Sequence, residues 1–380
     1  MLGSERIQAT FEKKSTDKVS IHHIGFSSSV AFQILGHEAY VGGGIQQWRE
    51  AKSYWEGWHD EFLKHSFHDA LEIASATEQD MVRPSYWRFN LKPTRKIDDY
   101  TFLYEYGKEE EWKVLRYDPK SEQANIFYFK QRKLSVEDIK KYIEEEKIRV
   151  QKYIPKEENY EFEIRAQRVL KGEKAIRVGG VGIGLPLDDT TVWLEAMLID
   201  PGLIKAYIEL QVERAKKNVE FLAKYGFRYF FGGGDFASEQ GPMYSPKLFK
   251  ELILSGLKKV SQICHARSVY HLFASDGNLW PVADALFKES KIDGEYEIDR
   301  RAGMDLKKLR RKFPHLTLIG NISSYTLHVG TKEEVRKETI SCIETAKRYK
   351  GIIVGVSNYI VPGTPLNNIM AMLEALKNYR

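Results

Sequence analysis

Apolar and polar positions change their period several times along this chain, and each change marks an element. Residues 6–14 read as a short lead-in helix, and residues 19–26 (Val19-Ser20-Ile21-His22-His23-Ile24-Gly25-Phe26) as a first strand. Residues 45–77 are helical and rich in aromatic side chains, among them Trp48, Trp55, Trp58, Phe62 and Phe67. A second strand begins at Asp80-Met81-Val82-Arg83. Between about residues 98 and 132 the period falls to two, in the runs Tyr100-Thr101-Phe102-Leu103-Tyr104, Trp112-Lys113-Val114-Leu115-Arg116-Tyr117 and Ile126-Phe127-Tyr128-Phe129. Polar turns separate these runs, which predicts antiparallel hairpin strands. From Ala175 onward, apolar runs at 175–183, 228–231, 268–274, 293–297, 316–319 and 352–356 each precede a helical pattern. With the two N-terminal strands they make eight, and strands separated by helices of ten residues or more pair in parallel. The pattern predicts an α/β fold: a single (β/α)8 TIM barrel over residues 1–380, with an antiparallel β-hairpin insertion, a lid, at 98–132 in its N-terminal third.

Helix starts are legible in detail. Ser245-Pro246 supplies a cap and a proline at the first helical position before residues 248–260. Thr331-Lys332-Glu333-Glu334 reads as a capping box before residues 335–349.

Composition narrows the function classes. Hydrophobic residues make up 42% of the chain, enough for a packed core. The 58 basic and 53 acidic residues leave a net charge of +5, without a basic block interleaved with aromatics, so the charges read as a solvated surface rather than a nucleic-acid interface. Cys264 and Cys342 both fall within helical patterns, which fits a reducing compartment. The opening residues lack an apolar core, and no run of about 18 apolar residues occurs, so the expectation is a soluble cytoplasmic protein with no membrane partner.

A barrel of this kind places its chemistry at the C-terminal ends of its strands. Asp235 follows the glycine run Gly232-Gly233-Gly234, Asp276 follows the strand that ends at Ala274, and Glu297 ends the next strand. Three carboxylates around one mouth suit acid–base work or a divalent metal, Zn2+ or another, with Asp235, Asp276 and Glu297 as ligands. The glycines would bend the chain inward, since neither GxGxxG nor GK[ST] is present to hold a phosphate. His22 and His23 point to opposite faces, and His23, nearer the mouth, is the better candidate to face it; His271 should face the helices. Arg83, Asn321, Asn358 and Tyr359 complete the candidate binding set at strand ends. The loop Val361-Pro362-Gly363-Thr364-Pro365 opens the final helix and offers backbone N–H groups to an anion.

These residues carry a resemblance. Gly234-Asp235 with Gly241-Pro242-Met243-Tyr244-Ser245-Pro246, Ser275-Asp276-Gly277-Asn278, Ala302-Gly303-Met304-Asp305, Gly320-Asn321-Ile322, Gly330-Thr331-Lys332-Glu333-Glu334-Val335 and Pro362-Gly363-Thr364-Pro365 resemble the uroporphyrinogen decarboxylase superfamily. Arg6, Asp17-Lys18-Val19 and Met81-Val82-Arg83 match more loosely. Decarboxylases of that superfamily carry an arginine-rich segment after the first strand to grip substrate carboxylates; here the strand is followed by Ser27-Ser28-Ser29-Val30. Its thiol methyltransferases, of the coenzyme M type, hold zinc with His-x-Cys and a later Cys; those positions are Ala274, Asp276 and the vicinity of Asn358. What the resemblance then implies is the corrinoid-dependent branch. Such a methyltransferase moves a methyl group from a small methoxylated, aromatic donor to Co(I) of a separate corrinoid protein, with Glu297, Asp235 and Asp276 as catalytic groups. No D-x-H-x-x-G cobalamin motif occurs, so the corrinoid would come with the partner. A lyase acting on an acidic substrate is the alternative, and a homodimer is a further expectation.

Overall fold

Eight short strands run parallel around one axis. They are β1 (Ser20–Ile21), β2 (Met81–Val82), β3 (Ala175–Val178), β4 (Tyr229–Gly233), β5 (Tyr270–Ala274), β6 (Gly294–Tyr296), β7 (Thr317–Ile319) and β8 (Ile352–Val354). Pairing runs in parallel from β2 through β3, β4, β5, β6, β7 and β8 back to β1. Asp80 bridges the last seam: its N–H donates to the Ile21 carbonyl at 2.8 Å and its carboxylate accepts from the Ile21 N–H at 2.9 Å. The architecture is thus a (β/α)8 barrel. The computed structural model describes residues 1–106, 112–128, 134–187 and 189–380.

Alternation along each strand divides the core in two. Ile24, Met81, Ala175, Tyr229, Leu272, Ala274, Tyr296, Ile319 and Ile353 fill the lumen. Val178, Phe230, Phe273 and Leu318 face outward into a larger cluster with helix residues such as Ile208, Leu257 and Ile343. The lead-in helix Gly3–Phe11 closes the floor, its Ile7 and Phe11 joining the lumen cluster. Arg6 bonds Asp80 at 2.5 Å and Asp17 at 2.9 Å, and Arg380 reaches Asp80 at 3.4 Å. Packing and charge therefore seal the floor, and the opposite rim carries the polar strand ends.

Several elements differ from the sequence pattern. The helical stretch 45–77 is two helices, Gly44–Glu56 and His59–Ala76, broken where Gly57 takes a φ of 85°. The run 175–183 is a strand only to Val178, because four glycines between 179 and 184 cannot sustain one. Of the run 19–26 only Ser20–Ile21 is strand, with an isolated parallel bridge from Phe26 to Ile360.

The insertion is a four-stranded antiparallel sheet of Arg95–Asp98, Thr101–Tyr104, Lys113–Asp118 and Gln123–Tyr128, one strand more than the pattern showed. Phe129, which ended the third run, lies outside the described residues. Phe102, Tyr104 and Leu115 pack on Ala51 of helix Gly44–Glu56. One hairpin turn sends Glu122 to the helix Ser28–Leu35, where its carboxylate accepts the Ser28 and Ser29 N–H groups at 2.7 and 2.8 Å. Those are unsatisfied first-turn donors at the positive end of a helix, which a carboxylate suits. Among the described residues, no helix is long and apolar enough to cross a membrane.

Candidate active site

The rim begins with a glycine packing problem. A Cβ on Gly234 would collide with the Ile183 carbonyl oxygen, and one on Gly232 with that of Val181. A Cβ on Gly184 would stand 2.7 Å from the Gly234 Cα. The end of β4 therefore lies backbone against backbone on residues 181–184, and only glycine permits that approach. This contact fixes where Asp235, the next residue, leaves the barrel, exposed at the mouth.

Asp276 and Glu297 come from the two following strand ends. Asn358, after β8, donates from Nδ2 to the Asp276 Oδ2 at 2.5 Å. Burial, then the charges of Asp235 and Asp299, push the Asp276 carboxyl up to about 6, against the lowering effect of the Asn358 bond. Glu297 sits directly after β6 with a φ of 68°, a left-handed conformation that a side chain other than glycine enters at a cost. Burial pushes its carboxyl well above the usual range; Asp276 and Asp235 push the same way, and Arg177 and Arg83 oppose them. Although Asp235 is exposed, partial desolvation by the surrounding rim raises it as well. The three carboxyls thus feel one another, and the protonated form is favoured. A cavity of about 200 Å³ opens beside Asp276 and Asn358, lined also by Ser238, Asp299, Arg301 and Tyr325.

The three do not converge as a metal cage. Among the described residues, the His/Cys/Asp/Glu trio whose donor atoms all lie within 4.8 Å of one another is His68, Asp69 and Glu72, on helix His59–Ala76. Asp235, Asp276 and Glu297 form no such set. Thiol ligation is equally remote: Cys264 and Cys342 are buried, and burial raises both thiols.

The other side of the lumen is cationic and aromatic. Arg83, at the end of β2, lies over the Trp87 ring at 3.9 Å from its centroid, and Trp87 meets Tyr359 edge-on at 5.5 Å. Tyr359 accepts the Gly43 N–H at 3.1 Å. Arg177 projects from β3 over Phe231 at 3.9 Å. It escaped the sequence reading, although a lone arginine in the apolar strand Ala175-Ile176-Arg177-Val178 was a usable signal.

Between the two histidines, His22 packs edge-on against the lumen residue Tyr296 at 5.7 Å. Its Nδ1 lies 2.9 Å from the Met81 carbonyl and must donate there, so Nε2 holds a free lone pair and has no partner. Burial pushes His22 well below its ordinary range and His23 down to about 4, so both are neutral. His23, the expected mouth residue, instead accepts the Val356 N–H at 3.3 Å through Nδ1 and ties β1 to β8. Alternation correctly puts the pair on different faces but does not say which residue lines the lumen.

The remaining candidates spread out. Asn321 bonds the Ile353 carbonyl at 3.3 Å and leaves Oδ1 buried without a partner. His271 meets Ser261 of helix Leu254–Ala266 at 2.9 Å, on the outer face of β5. Glu295, which the sequence reading passed over, is 1% exposed, and neither carboxylate oxygen has a partner. Burial raises its carboxyl well above the usual range, which favours the protonated form.

Residues 184–379 match the family model for uroporphyrinogen decarboxylase (URO-D). A curated uroporphyrinogen decarboxylase from Anaeromyxobacter sp. (strain Fw109-5) is 25% identical over 130 residues, 33% of this chain. That match spans about a third (35%) of the relative's own length. Among solved structures, a methyltransferase from Methanosarcina mazei superposes over 100% of this chain and 99% of its own, with a TM-score of 0.67 and 16% identity. At that identity the likeness speaks for the fold.

Proposed function

The chain belongs to the uroporphyrinogen decarboxylase family, and within it we propose that this protein is a methyltransferase. It takes a methyl group from a methoxylated aromatic donor and passes it to the corrinoid of a partner protein. The observation that carries this reading is the set of three carboxyls at successive strand ends, where Asn358 holds Asp276 at 2.5 Å and burial favours the protonated forms of Glu297 and Asp276. An aryl methyl ether is a poor methyl donor because phenolate leaves poorly. A neutral carboxylic acid removes that difficulty by donating its proton to the ether oxygen as the C–O bond breaks. Glu297 supplies that proton and Asp276 shares the charge that develops, while Asn358 fixes the Asp276 carboxyl. The partner's reduced corrinoid supplies the nucleophile for the methyl carbon. The alcohol product leaves with the proton, and Glu297 takes another from solvent. Asp235 keeps the local field acidic, Tyr359 and Trp87 form an aromatic wall, and Asn321 and Arg83 complete the binding set.

A second reading is a lyase on an acidic substrate, and Arg83 and Arg177 in one lumen favour it. Two features speak against it. Ser27-Ser28-Ser29-Val30 replaces the arginine-rich segment after β1, and Glu122 already occupies the helix terminus at that place. Arg300 and Arg301 are engaged with Glu338 and Glu239 at 3.4 and 3.2 Å. Product analysis separates the two readings. Demethylated phenol, formed from a methoxybenzoate only when the reduced corrinoid protein is present, supports methyl transfer. Release of CO2 by this protein alone would support the lyase.

A further inference from the structure

Arg83 and Arg177 place two guanidinium groups within each other's field, and among the described residues neither forms a salt bridge. Arg177 is 6% exposed, and its Nη1 has no hydrogen-bond partner. Its guanidinium lies 3.9 Å from the Phe231 centroid and 5.4 Å from that of Tyr296. Arg83 spends Nε on the Ser85 carbonyl at 2.9 Å and Nη1 on the Ile24 carbonyl at 3.4 Å, both neutral acceptors. Burial, then the charge of Arg177, lowers Arg83 to about 9. The carboxyls nearest these arginines do not offset them fully. Burial pushes Glu163 up to about 7, and it pushes Glu297 well above the usual carboxylate range. A buried cation without a counter-charge is costly, and a ligand anion removes the cost.

The geometry points to Arg83 and Arg177 as the site that holds the carboxylate of a planar aromatic donor. The ring would lie against Phe231 and Trp87, and the methyl ether would point across the mouth toward Glu297. Guanidinium forks match a planar carboxylate, and flat aromatic faces match the ring. A phosphate dianion fits less well, because it has no flat apolar face to lay against Phe231 and Trp87. The donor half of this inference rests on the methyl-transfer reading; the anion site does not.

Isothermal titration with benzoate, benzamide and inorganic phosphate tests it without corrinoid or turnover. Wild-type protein should bind benzoate at least about 10-fold more tightly than benzamide, the scale of a hydrogen bond to a charged group. Arg177→Met and Arg83→Gln should each weaken benzoate by about 10-fold or more and leave benzamide unchanged. The wild-type comparison stands even if a variant fails to fold. Equal affinity for benzoate and benzamide, or a preference for phosphate, overturns the proposal. Benzoate binding without methyl transfer from a methoxybenzoate upholds the anion site and defeats the methyltransferase reading. Methyl transfer from methoxybenzene as fast as from methoxybenzoate, with no benzoate binding, does the reverse.

Discussion

Glu297 combines a strained backbone, burial and two like-charged neighbours at one strand end. If it donates the proton, Glu297→Gln should lower the methyl-transfer rate by at least about 10²-fold, the low end for general acid catalysis, with an unchanged circular dichroism spectrum. A loss within about threefold would leave Glu297 a structural role. Asp276 sets the pH window. Its pKa rises from 3.8 to about 6 in the folded chain, so its protonated form stabilises the fold below about 4. That contribution fades as pH rises through about 6. Denaturation midpoints should therefore fall between pH 4 and pH 6–7, less steeply in Asp276→Asn, and a flat wild-type profile would contradict the shift. Glu295 yields a prediction of opposite sense. Its orphaned carboxyl only costs stability, so Glu295→Met should stabilise the protein by about 1 kcal/mol or more in urea denaturation. A destabilised variant would reveal a partner for that carboxyl. At this scale the sequence indicated acids at strand ends. It could not indicate Glu295 or choose His22 over His23, because both depend on strand parity inside a closed barrel.

Between residue and barrel stand the glycine segments. The run at 232–234 could be read as a bend, but its actual reason is a second glycine segment, at 179–184, that packs flat on it. A contact between segments some 50 residues apart leaves no local pattern. Gly234→Ala should destabilise the protein by about 1–3 kcal/mol or more, since backbone, not a flexible side chain, lies in the way. Gly179→Ala, whose Cβ would meet nothing within 4 Å, should fold normally. Equal melting temperatures for the two variants would remove the close-packing argument. The insertion was legible from its period of two. Its first strand, Arg95–Asp98, was not, because Arg95-Lys96-Ile97-Asp98 is largely exposed and carries little alternation.

For the whole molecule, the alternation of short apolar runs and helices was enough to give eight parallel strands, since such runs have few other ways to bury both faces. The division of the lumen into an acidic side on β4–β6 and a cationic, aromatic side on β2, β3 and β8 was only half legible. The carboxylates announced themselves at strand ends, whereas Arg177 and Trp87 became site residues only through the curvature of the barrel. That polarity is what a donor with a leaving oxygen at one end requires, and methyl transfer is the claim that depends on it. The direct measurement uses a methoxybenzoate with a ¹³C-labelled methyl group, this protein and a reduced corrinoid protein. Methyl transfer predicts label on the corrinoid and free phenol in equal amounts, and neither product when either protein is omitted. Loss of the carboxyl group as CO2 with the labelled methyl ether intact would contradict it.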